Sequence, residues 1–261
     1  MDLQTPLYRS FQALARFARA LPRPLALGVA DAVAAGAFTA YRLTPWRRFI
    51  ARNVAAAFGP GVPAGAIARD HVRELARNIC ELMRLPALAH EEADVVAAVE
   101  GWEHVEAARA AGRGVIVATA HYGNWELLGA TLARHGLPLH VLVQRPSQDA
   151  FDRLFREVRA TCGVTTWENH GPASLRPVLR ALARGEALGV LADQHGEAQD
   201  AVVRFFGHVV AAPTGPFSLA RRTGAAVLPM RAVREADGRH RIVIEPELPA
   251  SGDDEADMQA L

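Results

Sequence analysis

From Gly114 onward, short apolar runs alternate with segments of helical period, and that rhythm restricts the fold more than any other feature of the chain. Gly114-Val115-Ile116-Val117 is an apolar run opened by glycine and reads as a short buried strand. From Asn124 to His135 the spacing of Trp125, Leu127, Leu128, Ala130 and Leu132 is helical. Further strands are expected at Pro138–Val143, Ala187–Ala192, Ala225–Val233 and Arg241–Ile244, and helices at Asp149–Thr161, Ala173–Ala183 and Thr214–Thr223. Strand and helix in alternation predict an α/β fold with a mostly parallel central sheet flanked by helices.

The first third reads differently. Leu7, Phe11, Leu14, Phe17 and Leu21 recur at roughly helical spacing with arginines between them, as an amphipathic helix requires. Pro24 to Tyr41 holds one charge, Asp31, and lies near the lower limit of length for crossing a bilayer. All basic residues are arginine, and up to Pro60 eight of them face only Asp2 and Asp31. A basic, apolar helical segment of this kind suits an anionic membrane surface, and a pair of soluble helices covering the domain has the same pattern. Gly59-Pro60-Gly61-Val62-Pro63 breaks the pattern, so residues 1–60 are expected to form a membrane-associating helical segment and residues 61–261 an α/β domain. That domain opens with helices over Ala64–Leu85 and Gly101–Ala111.

Composition removes several function classes. A net charge of +1 on 261 residues offers nucleic acid no basic footprint. Cys80 and Cys162 are too few for a disulfide framework or a cysteine metal site, and no metal is expected. Without lysine there is no Walker loop and no Schiff base. Gly112-Arg113-Gly114 precedes a strand instead of following one, so it is not a dinucleotide fingerprint, and no serine sits in Gly-x-Ser-x-Gly.

The candidate chemistry lies where the first predicted strand hands over to its helix, at Ala120-His121-Tyr122-Gly123-Asn124-Trp125-Glu126. Open α/β sheets bind ligands at the carboxyl ends of their strands, and helix amino termini favour negative charge. If the turn brings them together, Glu126 fixes the imidazole of His121 while the other ring nitrogen takes a proton from a hydroxyl. Spacing alone equally allows a polar strand end followed by a first-turn acid.

His-Tyr-Gly-Asn-Trp-Glu resembles the His-x-x-x-x-Asp/Glu block of the late acyltransferases of lipid A biosynthesis, a family that also includes phosphatidylinositol-mannoside acyltransferases. The resemblance extends through Asn78-Ile79-Cys80-Glu81-Leu82, Gln144-Arg145-Pro146, Arg159, Asp193-Gln194, Arg204-Phe205-Phe206-Gly207 and Ala211-Ala212-Pro213-Thr214-Gly215. It implies a glycerolipid-acyltransferase type of fold and transfer of a fatty acyl chain from an acyl-carrier-protein or acyl-CoA thioester to a glycolipid hydroxyl. A lipid A precursor is the expected acceptor, with another polar lipid such as a phosphatidylinositol mannoside, or a catalytically silent membrane-binding member, as alternatives. No bound cofactor is implied, and the place implied is the cytoplasmic face of the inner membrane.

Carried onto this chain, the resemblance makes His121 the base and Glu126 the group that holds it. Arg145 and Arg159 become contacts for a phosphate, and Asp193 a support that orients Arg159 or a backbone amide, with Gln194 beside it. Amides around Gly123 and Asn124, or Arg159, are the expected oxyanion donors. Phe205 and Phe206 suit an acyl-chain wall and equally an ordinary core, and Thr214 suits a helix cap. Family members generally continue through a further helix and a tryptophan-rich segment, so Ser251–Leu261 is expected to end either a shortened member or an incomplete reading frame.

Overall fold

The computed structural model describes residues 4–143, 149–169, 171, 174–194 and 200–261. The chain forms two compact units: Met1–Phe11, Leu85–Val203 and Val209–Leu261 make one, and Gln12–Arg84 with Arg204–His208 make the other. The division falls after the long helix Ala64–Arg84, later than the loop at residues 59–63 suggests. That helix packs with the ones before it instead of opening the α/β domain.

The helical unit takes in most of α1 (Gln4–Ala20), together with α2 (Arg23–Arg42), α3 (Trp46–Phe58) and α4 (Ala64–Arg84). Helix α2 presents Ala26, Ala30 and Ala34 every fourth residue as its buried face, and small side chains there let α4 approach closely. Buried Arg84 of α4 donates to the carbonyls of Ala18 and Leu21, satisfying acceptors at the end of α1.

The α/β unit runs α5 (Leu88–Val95), β1 (Val96–Glu100), α6 (Trp102–Ala110), β2 (Val115–Thr119), α7 (Trp125–Arg134), β3 (Leu139–Val143), α8 (Asp149–Thr161), β4 (Val164–Glu168), α9 (Leu175–Ala183) and β5 (Ala187–Leu191). It continues through the arms of a hairpin, β6 (Ala201–Phe205) and β7 (His208–Ala212), whose tip Arg204–His208 is counted with the helical unit, then α10 (Gly215–Thr223), β8 (Ala226–Arg234), β9 (His240–Ile244) and α11 (Asp254–Ala260). Among the described residues seven strands form one sheet in the order β1-β9-β8-β2-β5-β3-β4. Every neighbouring pair is parallel except β8 with β9.

Strand β2 is central because all of Val115-Ile116-Val117-Ala118 is apolar and buried on both faces, as a parallel core strand requires. Alternate residues supply opposite sides of the sheet. Val115 and Val117 join Leu128, Leu132 and Leu228 in one core cluster, while Ile116 and Ala118 join Val178, Leu182 and Phe217 in the other. A second buried device sits at the start of β3. The Trp167 indole donates to Nδ1 of His140 at 3.0 Å, and His140 Nε2 meets Glu186 at 2.7 Å, so the ring is locked as a structural strut. Hydrogen bonding from Arg184 keeps the Glu186 carboxyl below its usual range, with the contact to His140 adding to the effect.

Candidate active site

Strands β2 and β5 lie side by side and pair in register up to Thr119 with Leu191. The ladder continues one step further, with the Ala192 amide donating to the Thr119 carbonyl at 2.9 Å. His121 and Asp193 each stand two residues beyond the last register pair, so adjacent parallel strands deliver them to the same carboxyl edge about 5 Å apart. There Asp193 grips His121 twice. One carboxylate oxygen accepts the His121 backbone amide at 2.9 Å and the other meets ring Nδ1 at 2.9 Å. An ionised carboxylate only accepts, so Nδ1 carries the proton and Nε2 is left as the basic nitrogen. The edge of the Trp125 ring lies against the imidazole at 5.0 Å between centroids, and both members of the pair remain more than a third exposed, open to a substrate.

The sequence expectation that Glu126 holds the imidazole is corrected by this geometry. Asn124 caps α7, its side chain accepting the Leu127 amide at 3.0 Å, and Glu126 follows in the first turn. Arg159 from α8 meets it there as a fork, Nε at 2.9 Å and Nη2 at 2.5 Å from the two carboxylate oxygens. With side chains only 11% and 16% exposed, the two neutralise one another in a largely desolvated place. The same fork argues against Arg159 as a free oxyanion or phosphate ligand, since two of its donor nitrogens are committed to a carboxylate. Nor does Asp193 orient Arg159: of the two targets expected for it, the backbone amide is the one it meets, together with the ring of His121.

The other candidates separate by position. Gln194 is exposed beside Asp193. Arg145 lies outside the described residues. Phe205 and Phe206 are neither core nor a closed wall: they sit at the tip of the β6–β7 hairpin, 63% and 49% exposed, with Phe206 stacked edge-on against Phe58 of α3 at 5.0 Å. The turn there has positive φ at Phe206 (48°) and Gly207 (78°), the pattern of a tight two-residue hairpin turn. Thr214 stands at the start of α10 without a capping hydrogen bond from its side chain, and Asp253, not singled out from sequence, caps the short final helix α11 through two amides. Burial pushes the Cys162 thiol up, away from the reactive thiolate form.

Residues 9–261 match the family model described as bacterial lipid A biosynthesis acyltransferase. The chain belongs to this family. Among its relatives, a phosphatidylinositol mannoside acyltransferase of Mycolicibacterium smegmatis is 32% identical over 259 residues, covering 94% of this chain and 81% of the relative. The phosphatidylinositol mannoside acyltransferase of Mycobacterium tuberculosis strain H37Rv is 31% identical over 69% of this chain and 58% of its own length. The lipid A biosynthesis palmitoleoyltransferase of Escherichia coli K12 is 31% identical over 60% of this chain and 51% of its own length. This chain is therefore an acyltransferase of the lipid A and glycolipid type.

In this acyltransferase one glycine of the turn after β2 is demanded by close packing. Gly123 has φ of 59° and forms a bridge with Ala232 of β8. A Cβ at that position would lie 1.7 Å from the Ala232 carbonyl oxygen. Gly123→Ala therefore has to push the turn away from β8, taking His121 with it, at an expected cost of about 2–3 kcal/mol from strain and overpacking. Thermal unfolding measures the first effect and acyl transfer the second; a variant that keeps wild-type stability and rate contradicts the packing argument.

Proposed function

We propose that this acyltransferase moves a fatty acyl chain from a carrier-protein or coenzyme A thioester to a hydroxyl of a membrane glycolipid, at the cytoplasmic face of the inner membrane. The observation that carries the reading is the His121 imidazole, held through Nδ1 by Asp193 with Nε2 left as the basic nitrogen at the open edge of the sheet. Nε2 takes the proton of the acceptor hydroxyl as its oxygen bonds to the thioester carbonyl carbon. The carbon–sulfur bond then breaks, and the proton on the imidazolium passes to the departing thiolate. Asp193 faces the ring throughout and compensates the positive charge it gains in between. Backbone amides around Gly123 and Asn124, next to the helix terminus that favours negative charge, are the proposed donors to the developing oxyanion.

A mannosylated phosphoinositide is the acceptor favoured here, because the phosphatidylinositol mannoside acyltransferase of Mycolicibacterium smegmatis matches along 94% of the chain. A lipid A precursor is the second reading, supported by the family model across residues 9–261. Purified enzyme given one labelled acyl thioester and both acceptors, with products read by mass spectrometry, separates them. The expected result is one added acyl group on the mannosylated lipid and about a tenth of that rate or less on the lipid A precursor. Equal or reversed transfer reassigns the acceptor, and no transfer to either rejects a glycolipid substrate.

A further inference from the structure

Helix α2 is long and apolar enough to cross a membrane by length and composition, since 20 residues rise about 30 Å. Its packing argues for another placement. Arg77 of α4 forks the mid-helix carboxylate of Asp31 with two bonds of 2.7 Å, and Arg23 of α2 meets Glu81 of α4 at 2.9 Å. The ascending numbers on one helix pair with descending numbers on the other, so the two run antiparallel along their contact. Helix α4 carries Arg69, Asp70, Arg73, Glu74, Arg77, Glu81 and Arg84, which bars it from the hydrocarbon. For α2 to cross alone it would have to leave these partners, taking Asp31 into the bilayer without its counter-ion.

The opposite side of α2 exposes Leu25, Val29 and Val33 at four-residue spacing. Helix α3 then exposes Trp46 and Phe49, their rings edge-on at 5.9 Å. Around them Arg47, Arg48 and Arg52 are exposed, and among the described residues none has a carboxylate partner. Apolar stripe, interfacial tryptophan and uncompensated arginines together match an anionic lipid surface.

We propose that the helical unit binds an anionic bilayer as a monotopic wedge, with α2 lying in the plane of the interface on its Leu25–Val29–Val33 stripe instead of spanning the membrane. The proposal rests on the membrane location given under the proposed function. Acyl transfer assayed in detergent tests the chemistry separately, so the two can fail independently.

Two measurements test it. In a Cys80→Ala/Cys162→Ala background, Ser10→Cys and Gly61→Cys bracket α2, and both are treated with a membrane-impermeant maleimide in intact spheroplasts and in inverted vesicles. Labelling of both positions from the same side is expected, and labelling from opposite sides overturns the proposal. Flotation of the full chain with phosphatidylcholine–phosphatidylglycerol vesicles is expected to fall about tenfold or more in Val29→Asp/Val33→Asp. Unchanged flotation in that variant, with unchanged circular dichroism, overturns the assignment of the stripe as the lipid contact.

Discussion

His121→Ala is expected to lower acyl transfer about 10³–10⁴-fold, and Asp193→Asn to follow it most of the way down. The asparagine can still accept the His121 backbone amide, so the strand ends stay together. Its amide nitrogen, however, is a donor, and turned toward ring Nδ1 it forces the tautomer in which Nε2 carries the proton. The ring is then in place and in the wrong state to act as a base. Circular dichroism of both variants should match the parent, and initial rates with a labelled thioester give the comparison. An Asp193→Asn rate near wild type would show that the carboxylate does not set the state of the ring, and an active His121→Ala would remove the base from the mechanism.

Glu126→Ala and Arg159→Ala act by a different route. Each leaves the other charge unpaired in a place where both side chains are nearly buried, and breaking such a pair from one side costs about 3–4 kcal/mol. For a chain of this size that corresponds to roughly 6–16 °C in Tm. Activity should fall with stability, because the fork ties α8 to the first turn of α7, the turn that follows His121. The double variant Glu126→Ala/Arg159→Ala should be no worse than either single one, which requires a coupling of about 3 kcal/mol. If Glu126→Ala lowers kcat as far as Asp193→Asn while Tm is unchanged, Glu126 acts on the imidazole directly and the fork is incidental.

Much of the sheet was legible from short apolar runs. The strands at β2, β3, β5, β8 and β9 and the bounds of α8 follow the sequence pattern to within a residue or two. Strand β1 escapes such a reading: Val-Ala-Ala-Val-Glu is alanine-rich and only partly buried, and only its pairing with β9 makes it extended. Strand β4 is half polar and is drawn into the sheet by its ladder with β3. The hairpin tip misled in the other direction, since two phenylalanines ahead of a glycine read as wall or core, whereas the turn presents both outward. Arg153, Arg156 and Arg159 recur every third residue as a solvated face would; Arg153 and Arg156 stay exposed beside Glu157 and beside Glu168 with Asp152, and Arg159 alone turns inward, onto Glu126. The hydrogen bonds to Asp152 and then Glu168 hold the Arg156 guanidinium even more firmly protonated than usual.

The sequence by itself determined the class of the fold, the strand-to-helix turn where the chemistry is placed, and the family, because hydrophobic period and local turn residues are written over a few consecutive positions. What only the tertiary structure decided is which carboxylate meets the His121 ring. His121 and Glu126 are five residues apart in the chain, yet His121 pairs with Asp193 and Glu126 with Arg159. His121 and Asp193 are 72 residues apart, and two parallel strands in register set them side by side. Partnership across a sheet depends on strand order and register, and neither is recorded in the spacing of residues along one segment.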